Sequence, residues 1–335
     1  MRKNVGKASF PMGRFTKKYV LSICAAIALG LTGATSQTDP PPLWAYPMAA
    51  PDYKAPVDDG TLRHVPGSST SWTLSQLNDR FFAPDWHPDE HPRMPEVVAH
   101  GRKPNVFACG YCHRAEGTGG PENANIAGLP EAYIIQQMAD FKSGARKSSM
   151  PERSPAKNMT ATAKAASDAE VAQAAAYFSR IKPRKLIIVV EAQEAPKSYV
   201  ADAFYARLPG NEKEPIAGRV LEMPKDLEQF ESRDTHSEFI AYVPPGSLAE
   251  GKALATSGAG GEITPCVQCH GTDLRGLGSV PGIAGRSPSY LMRQLYDMKH
   301  GARAGVGSQP MKPVLANLTD ADFTSLAAYA ASLNP

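Results

Sequence analysis

Apolar residues recur at three- and four-residue intervals in two stretches that can be laid over each other. In "YIIQQMADFKSGAR" the residues Ile134, Met138 and Phe141 share one face; in "YLMRQLYDMKHGAR" Leu291, Leu295 and Met298 do the same. Each stretch predicts an amphipathic helix. Pro130 and Pro288 stand at or near the starts, where a missing amide hydrogen costs nothing. The glycine of each Gly-Ala-Arg triplet suits the stop. A second pair, "SDAEVAQAAAYFSRI" (Ser167 to Ile181) and "TDADFTSLAAYAASL" (Thr319 to Leu333), predicts two closing helices. Ser167 and Thr319 are good N-caps, and Glu170 and Asp322 place an acid three positions on, as a capping box requires.

These pairs belong to a longer duplication. Upstream of each stands a C-x-x-C-H string, Cys109, Cys112, His113 and then Cys266, Cys269, His270. Tyr133 and Tyr290 both follow their histidine by 20 residues, and both Gly-Ala-Arg triplets begin 31 residues after it. A gap-free match of that length marks a repeated unit. Carried back from the closing helices, the register pairs Met159 with Met311, with five extra residues before Met159.

The remaining chain follows other patterns. "KLIIVVEAQ" and "EFIAYV" are β-like and lie between the repeats, so the insert 184–245 is expected to be partly sheet. Residues 37–94 hold all three tryptophans, Trp44, Trp72 and Trp86, among prolines. "PPPLWAYPMAAPDYKAP" predicts an extended segment, and "SWTLSQLNDRFF" a short helix capped by Ser71 or Thr73; the extension as a whole is expected to be a strap over the first repeat unit, with a docking element for a partner enzyme as the alternative. "DWHPDEHPRMP" offers His87, His91 and two aspartates as conceivable metal ligands, but its spaced prolines argue against a helix facing both histidines one way and predict an exposed loop. "GSLAEGKALA" begins a helix before the second motif; only Glu96 to His100 is available before the first.

Charge and cysteine usage narrow the class. Six basic residues and no acidic ones precede an uncharged 13-residue run, Tyr19 to Leu31, and Ala34-Thr35-Ser36 offers a cleavage site. Residues 1–36 therefore read as an export signal, too short in its apolar part to span a bilayer, which takes about 20 residues. Its removal takes the formal charge from +3 to −3, leaving no basic footprint for nucleic acid, and no other segment is apolar enough to cross a membrane. Of five cysteines Cys24 leaves with the signal; the other four all lie in the two motifs. An exported chain that spends every cysteine this way uses them for something other than structural disulfides.

A thioredoxin-like dithiol has no use for the adjacent histidine. A zinc ribbon would need the two motifs, 157 residues apart, to dock together. The full string is the signature of covalent haem attachment, with both thiols bound to the ring and the histidine beneath the iron. The sixth ligand is then sought among methionines, since a thioether raises the potential and closes the iron. Met311 in the polar, proline-bounded "SQPMKPVL" fits poorly as core filler; Met292 and Met298, within a helix, fit that role well. In the first unit Met159 is favoured by register, with Met150 as the alternative. His300 is read as a solvated residue at a helix end.

On these strings, together with Ile-Ala-Gly after each motif and the "AAY" of the closing helices, each unit resembles a class I cytochrome c. The tandem resembles the two-haem periplasmic cytochromes of the c-four type, over 95–183 and 246–335. The resemblance implies a mainly α fold: two tandem cytochrome c domains at those ranges, a Pro/Trp-rich extension at 37–94 and the insert at 184–245. It implies two covalently attached haem c groups, on Cys109 and Cys112 with His113 and Met159, and on Cys266 and Cys269 with His270 and Met311. It also implies a proline carbonyl behind the proximal histidine. Pro281 stands in that place in the second unit, whereas the first has Ala124. The implied function is one-electron transfer between redox protein partners in the periplasm. A haem subunit of a larger dehydrogenase, or a two-haem peroxidase or sulfur-compound dehydrogenase with one open iron, is the alternative.

Overall fold

The computed structural model of the chain describes residues 40–261 and 263–335; the export segment expected at 1–36 lies outside the described residues. The extension opens not as a fully extended strap but with a 3-10 turn at Leu43–Ala45. Its start packs mainly on the second repeat unit, with Arg153 of the first donating to the Pro47 carbonyl. Ala45 and Tyr46 are buried among Leu254, Leu291, Tyr296 and Phe323 of the second, where the Tyr46 hydroxyl donates to Asp297 at 2.7 Å. Periodicity cannot reveal a partner 251 residues away. Helix α1 (Leu74–Leu77) follows, capped by Thr73 in a reciprocal box with Gln76. Trp86 and Leu77 then form a small cluster with Val65 and Trp72. The segment expected as an exposed loop is exposed at Pro88 to Glu90 and at Pro92 and Arg93, but is docked at its start: His87 is only 7% exposed because Asp234 of the insert receives it.

The first repeat unit contains α2 (Glu96–Ala99), α3 (Cys109–His113), α4 (Glu131–Ser143), α5 (Ser154–Ala165) and α6 (Asp168–Ser179). Helix α4 ends on left-handed Gly144, and the Ser167–Glu170 box caps α6. Val97, Val98, Ile134, Ala175 and Phe178 form the core between them. Helix α5 was not expected. It is built on alanine, threonine and lysine, with Met159 its only large apolar residue, so helix propensity forms it without an apolar stripe.

The insert carries β1 (Ile187–Glu191), β2 (Glu194–Pro196), β3 (Ser198–Ala201), β4 (Phe204–Arg207), β5 (Lys213–Pro215), β6 (Leu221–Pro224), α7 (Leu227–Glu231) and β7 (Phe239–Val243). Strand β7 is central, parallel to β1 and antiparallel to β6, while β2 pairs with β5 and β3 with β4. Phe204, Phe230 and Phe239 pack this layer onto Ala331 of the last helix.

The second repeat unit has α8 (Ser247–Gly261), broken by left-handed residues 258–260, then α9 (Val267–His270), α10 (Pro288–Lys299), α11 (Met311–Leu315) and α12 (Asp320–Ser332). Helices α8 and α12 cross so closely that a Cβ on Gly251 would lie 2.0 Å from the Ser325 carbonyl oxygen. Met311, expected in a loop, is the first residue of α11. The two units meet at their Gly-Ala-Arg triplets: the Lys147 amide donates to Ala302 O and the Ala304 amide to Ala145 O, both at 2.7 Å.

Candidate functional site

Each C-x-x-C-H string forms one helical turn. Three- and four-residue spacing sets both thiols and the imidazole along one side of that turn. The chain then leaves through a residue of positive φ, Arg114 at 67° and Gly271 at 84°. It folds back so that the Gly119 amide donates to His113 O and the Gly276 amide to His270 O. This return brings a backbone carbonyl behind each ring. His113 Nδ1 donates to Ala124 O and His270 Nδ1 to Pro281 O, each at 2.8 Å and each eleven residues on. The proline implied by the resemblance is thus dispensable: the path of the loop presents the carbonyl, and Ala124 supplies it as well as Pro281 does. With Nδ1 donating, Nε2 carries the free lone pair. Burial lowers both imidazole pKa values, keeping the rings neutral and able to ligate.

In the first unit the turn lines a mainly apolar cavity, with Cys109, Cys112, His113, Met159 and Phe178 in its wall. Met150 is elsewhere, packed against the core of the second unit. In the second unit Cys266, Ile283, Met298 and Met311 pack around one cluster. His300 caps the end of α10 and stacks on Tyr296.

Of the four motif cysteines, Cys269 is exposed and the others are half-buried. Burial pushes Cys109 up to about 12 and Cys266 up to about 11. Among the described residues, the clusters of three or more metal-ligating side chains contain no cysteine, which removes the zinc ribbon across the motifs.

A haem is a large apolar plate with two carboxylates, and the residues present fit it. The cavity wall is apolar around the thiols and imidazole, and it also includes Arg146, Arg153 and Arg293. Arg146 bonds only to neutral groups, Gln137, Tyr290 and Gln294. Arg153 donates to the carbonyls of Pro47 and Ala203, and burial lowers it to about 9. Neither forms an ion pair among the described residues, so both suit an incoming carboxylate. These arginines escaped the sequence reading; the identity of the Gly-Ala-Arg triplets is a signal for Arg146 alone.

A family model described as cytochrome c matches residues 99–182. Cytochrome c-554(548) of Halomonas halodenitrificans is 38% identical over 81 residues, covering 98% of that protein and 23% of this chain. A thiosulfate dehydrogenase electron acceptor of Thiomonas intermedia is 27% identical over 233 residues, 68% of this chain and 80% of the relative. Cytochrome c4 of Azotobacter vinelandii is 25% identical over 232 residues, 68% and 84% of the two chains.

Proposed function

The chain belongs to the cytochrome c family, and on that premise we propose that it is a periplasmic two-haem electron carrier. The observation that carries this reading is the twofold occurrence of one arrangement: a C-x-x-C-H turn whose histidine donates Nδ1–H to a returning carbonyl. Residues 95–183 and 246–335 are the two haem-carrying units. Cys109 and Cys112, and Cys266 and Cys269, attach the groups covalently. His113 with Met159, and His270 with Met311, would hold the two irons. When bound, each haem supplies a one-electron iron couple. The chain's own residues make that couple fast and clean. The carbonyls of Ala124 and Pro281 hold the imidazoles in one orientation, so the ligand set need not rearrange between oxidation states. Phe178 and its apolar neighbours keep water out. Arg146 and Arg153 receive the carboxylates.

The donor and acceptor are redox proteins. An export signal at 1–36 delivers the chain to the periplasm, and among the described residues no helix is long and apolar enough to cross a membrane. The similarity to a thiosulfate dehydrogenase electron acceptor favours a second reading, in which the chain serves as the haem subunit of a larger dehydrogenase. A catalytic role would need an open iron, and Met159 in the cavity wall speaks against one.

Intact-mass measurement on periplasmic material tests the proposal. A chain beginning near Gln37 and carrying two haem masses is expected, and Cys109→Ala or Cys266→Ala should each impair attachment at one site. A mass without haem overturns the carrier. Co-purification with a catalytic subunit would select the second reading.

A further inference from the structure

Two segments that the haem sites do not use meet where the extension touches the insert. His87 Nε2 lies 2.9 Å from Asp234 Oδ1, and His236 Nε2 lies 2.8 Å from Glu90 Oε2. The two imidazoles stack with centroids 3.8 Å apart. One ligand atom each from His87, Asp234 and His236 falls within 4.8 Å of the others. His87 and Asp234 are buried, at 7% and 1% exposure, and His236 is half-buried.

We propose that His87, Asp234, His236 and Glu90 bind one divalent first-row transition ion, zinc(II) being the type, which clips the extension to the insert. Two imidazoles with two carboxylates are a nitrogen–oxygen donor set suited to such an ion. Each imidazole–carboxylate contact now holds a proton where the ion would sit. Carrying that proton on Nδ1 instead frees Nε2 as a ligand, and the dication balances the two carboxylates. An outer shell is already in place. Gln229 Nε2 donates to Asp234 Oδ2 at 2.7 Å, and the His236 amide donates to Asp234 Oδ1 at 3.0 Å, so the carboxylate is oriented before any ion arrives.

The stacking says what must move. Parallel rings cannot aim two lone pairs at one point, so one imidazole has to turn. His236, the more exposed, is the one with room. Arg184, which donates to Glu90, also donates to Glu116 at 2.8 Å and keeps that partner when Glu90 is taken. The extension does not depend on the ion for docking, because Trp86 Nε1 donates to the Ser232 carbonyl at 2.7 Å. The metal-free protein therefore stays folded, and the ion adds stability by binding the native state alone.

The test uses the untagged two-haem protein, stripped with a chelator, desalted and titrated with zinc sulfate in a calorimeter. Zinc and iron are then measured after gel filtration. One zinc per two irons is expected, with affinity weakened about tenfold or more in His236→Ala and Glu90→Gln. His64→Ala, outside the cluster, should bind as wild type. His87→Ala is the stricter variant, but its buried site makes misfolding a risk, which the two less buried substitutions avoid. No retained zinc, or titrations identical in wild type and His236→Ala, overturns the site.

Discussion

Arg146 and Arg303, equivalent residues of the two repeats, pair with each other in an antiparallel bridge. Their side chains cross over: Arg146 donates to Tyr290 and Gln294 of the second unit, and Arg303 to Tyr133 and Gln137 of the first, all at 2.9 Å. Gln137 accepts from both guanidinium groups. A duplication has thus become an interface through the one residue that both copies kept after Gly-Ala.

Removing either guanidinium leaves buried acceptors unpaired. Arg146→Ala and Arg303→Ala should each cost about 2–4 kcal/mol in denaturant unfolding. Because the two share Gln137, a double-mutant cycle should show coupling of about 1 kcal/mol. Lysine should rescue neither, since it lacks the planar fork that reaches several acceptors at once. Additive losses would mean that the two side chains act independently.

The start of the extension is fastened by one aromatic residue. Tyr46 is 1% exposed, and its hydroxyl reaches Asp297, which also accepts from the Ser149 amide. Tyr46→Phe should cost about 1–2 kcal/mol by leaving that carboxylate short of a donor. Tyr46→Ala should cost about 3–5 kcal/mol and make residues 40–50 a site of proteolytic nicking in limited digestion. An unclipped, equally stable alanine variant would show that the strap is held elsewhere.

What could be read from the chain was whatever is local. Helices α4, α6, α10 and α12 announce themselves by spacing, caps and stop glycines, β1 by its run of β-branched residues and β7 by its mix of aromatic and β-branched ones. The eight motif and methionine positions are local in the same sense, since motif spacing and the register of the repeats single them out. What could not be read depends on partners far away in sequence. Tyr46 finds Asp297, His87 finds Asp234, and β1 lies parallel to β7, none of which leaves a periodic trace. Helix α5 was hidden for a different reason: its burial is slight, so no apolar stripe marks it. Met311 looked like a loop residue because prolines flank it, yet proline is tolerated in the first turn of a helix.

The cap of α6 should give a pH signature. Arg102, then the Ser167 amide, hold the Glu170 carboxyl down to about 2, well below its ordinary 4.5. A depressed acid contributes stability that is fully present above pH 4.5 and is lost as pH falls towards 2. Glu170→Ala should therefore cost about 1 kcal/mol at pH 7, and the gap from wild type should close as pH is lowered from 4.5 towards 2. Added salt should shrink the Arg102 part, which is half exposed. A gap that stays constant with pH would place the effect in helix propensity rather than in the charged cap.

The first iron decides between carrier and enzyme, and two methionines decide the first iron. Met159 lies in the cavity wall with Cys109, Cys112 and His113; Met150 packs against the core of the second unit. Met159→Ala should remove a thioether ligand, lower the potential of one haem, and open one site to carbon monoxide in the reduced protein. Met150→Ala should open none and should instead cost about 1–3 kcal/mol of stability, the reduced penalty of a half-buried core position. Absorbance under carbon monoxide, with a redox titration of both variants, separates these outcomes. Rapid binding by the unaltered protein would mean that one iron is open, and the electron-carrier reading would then give way to a catalytic one.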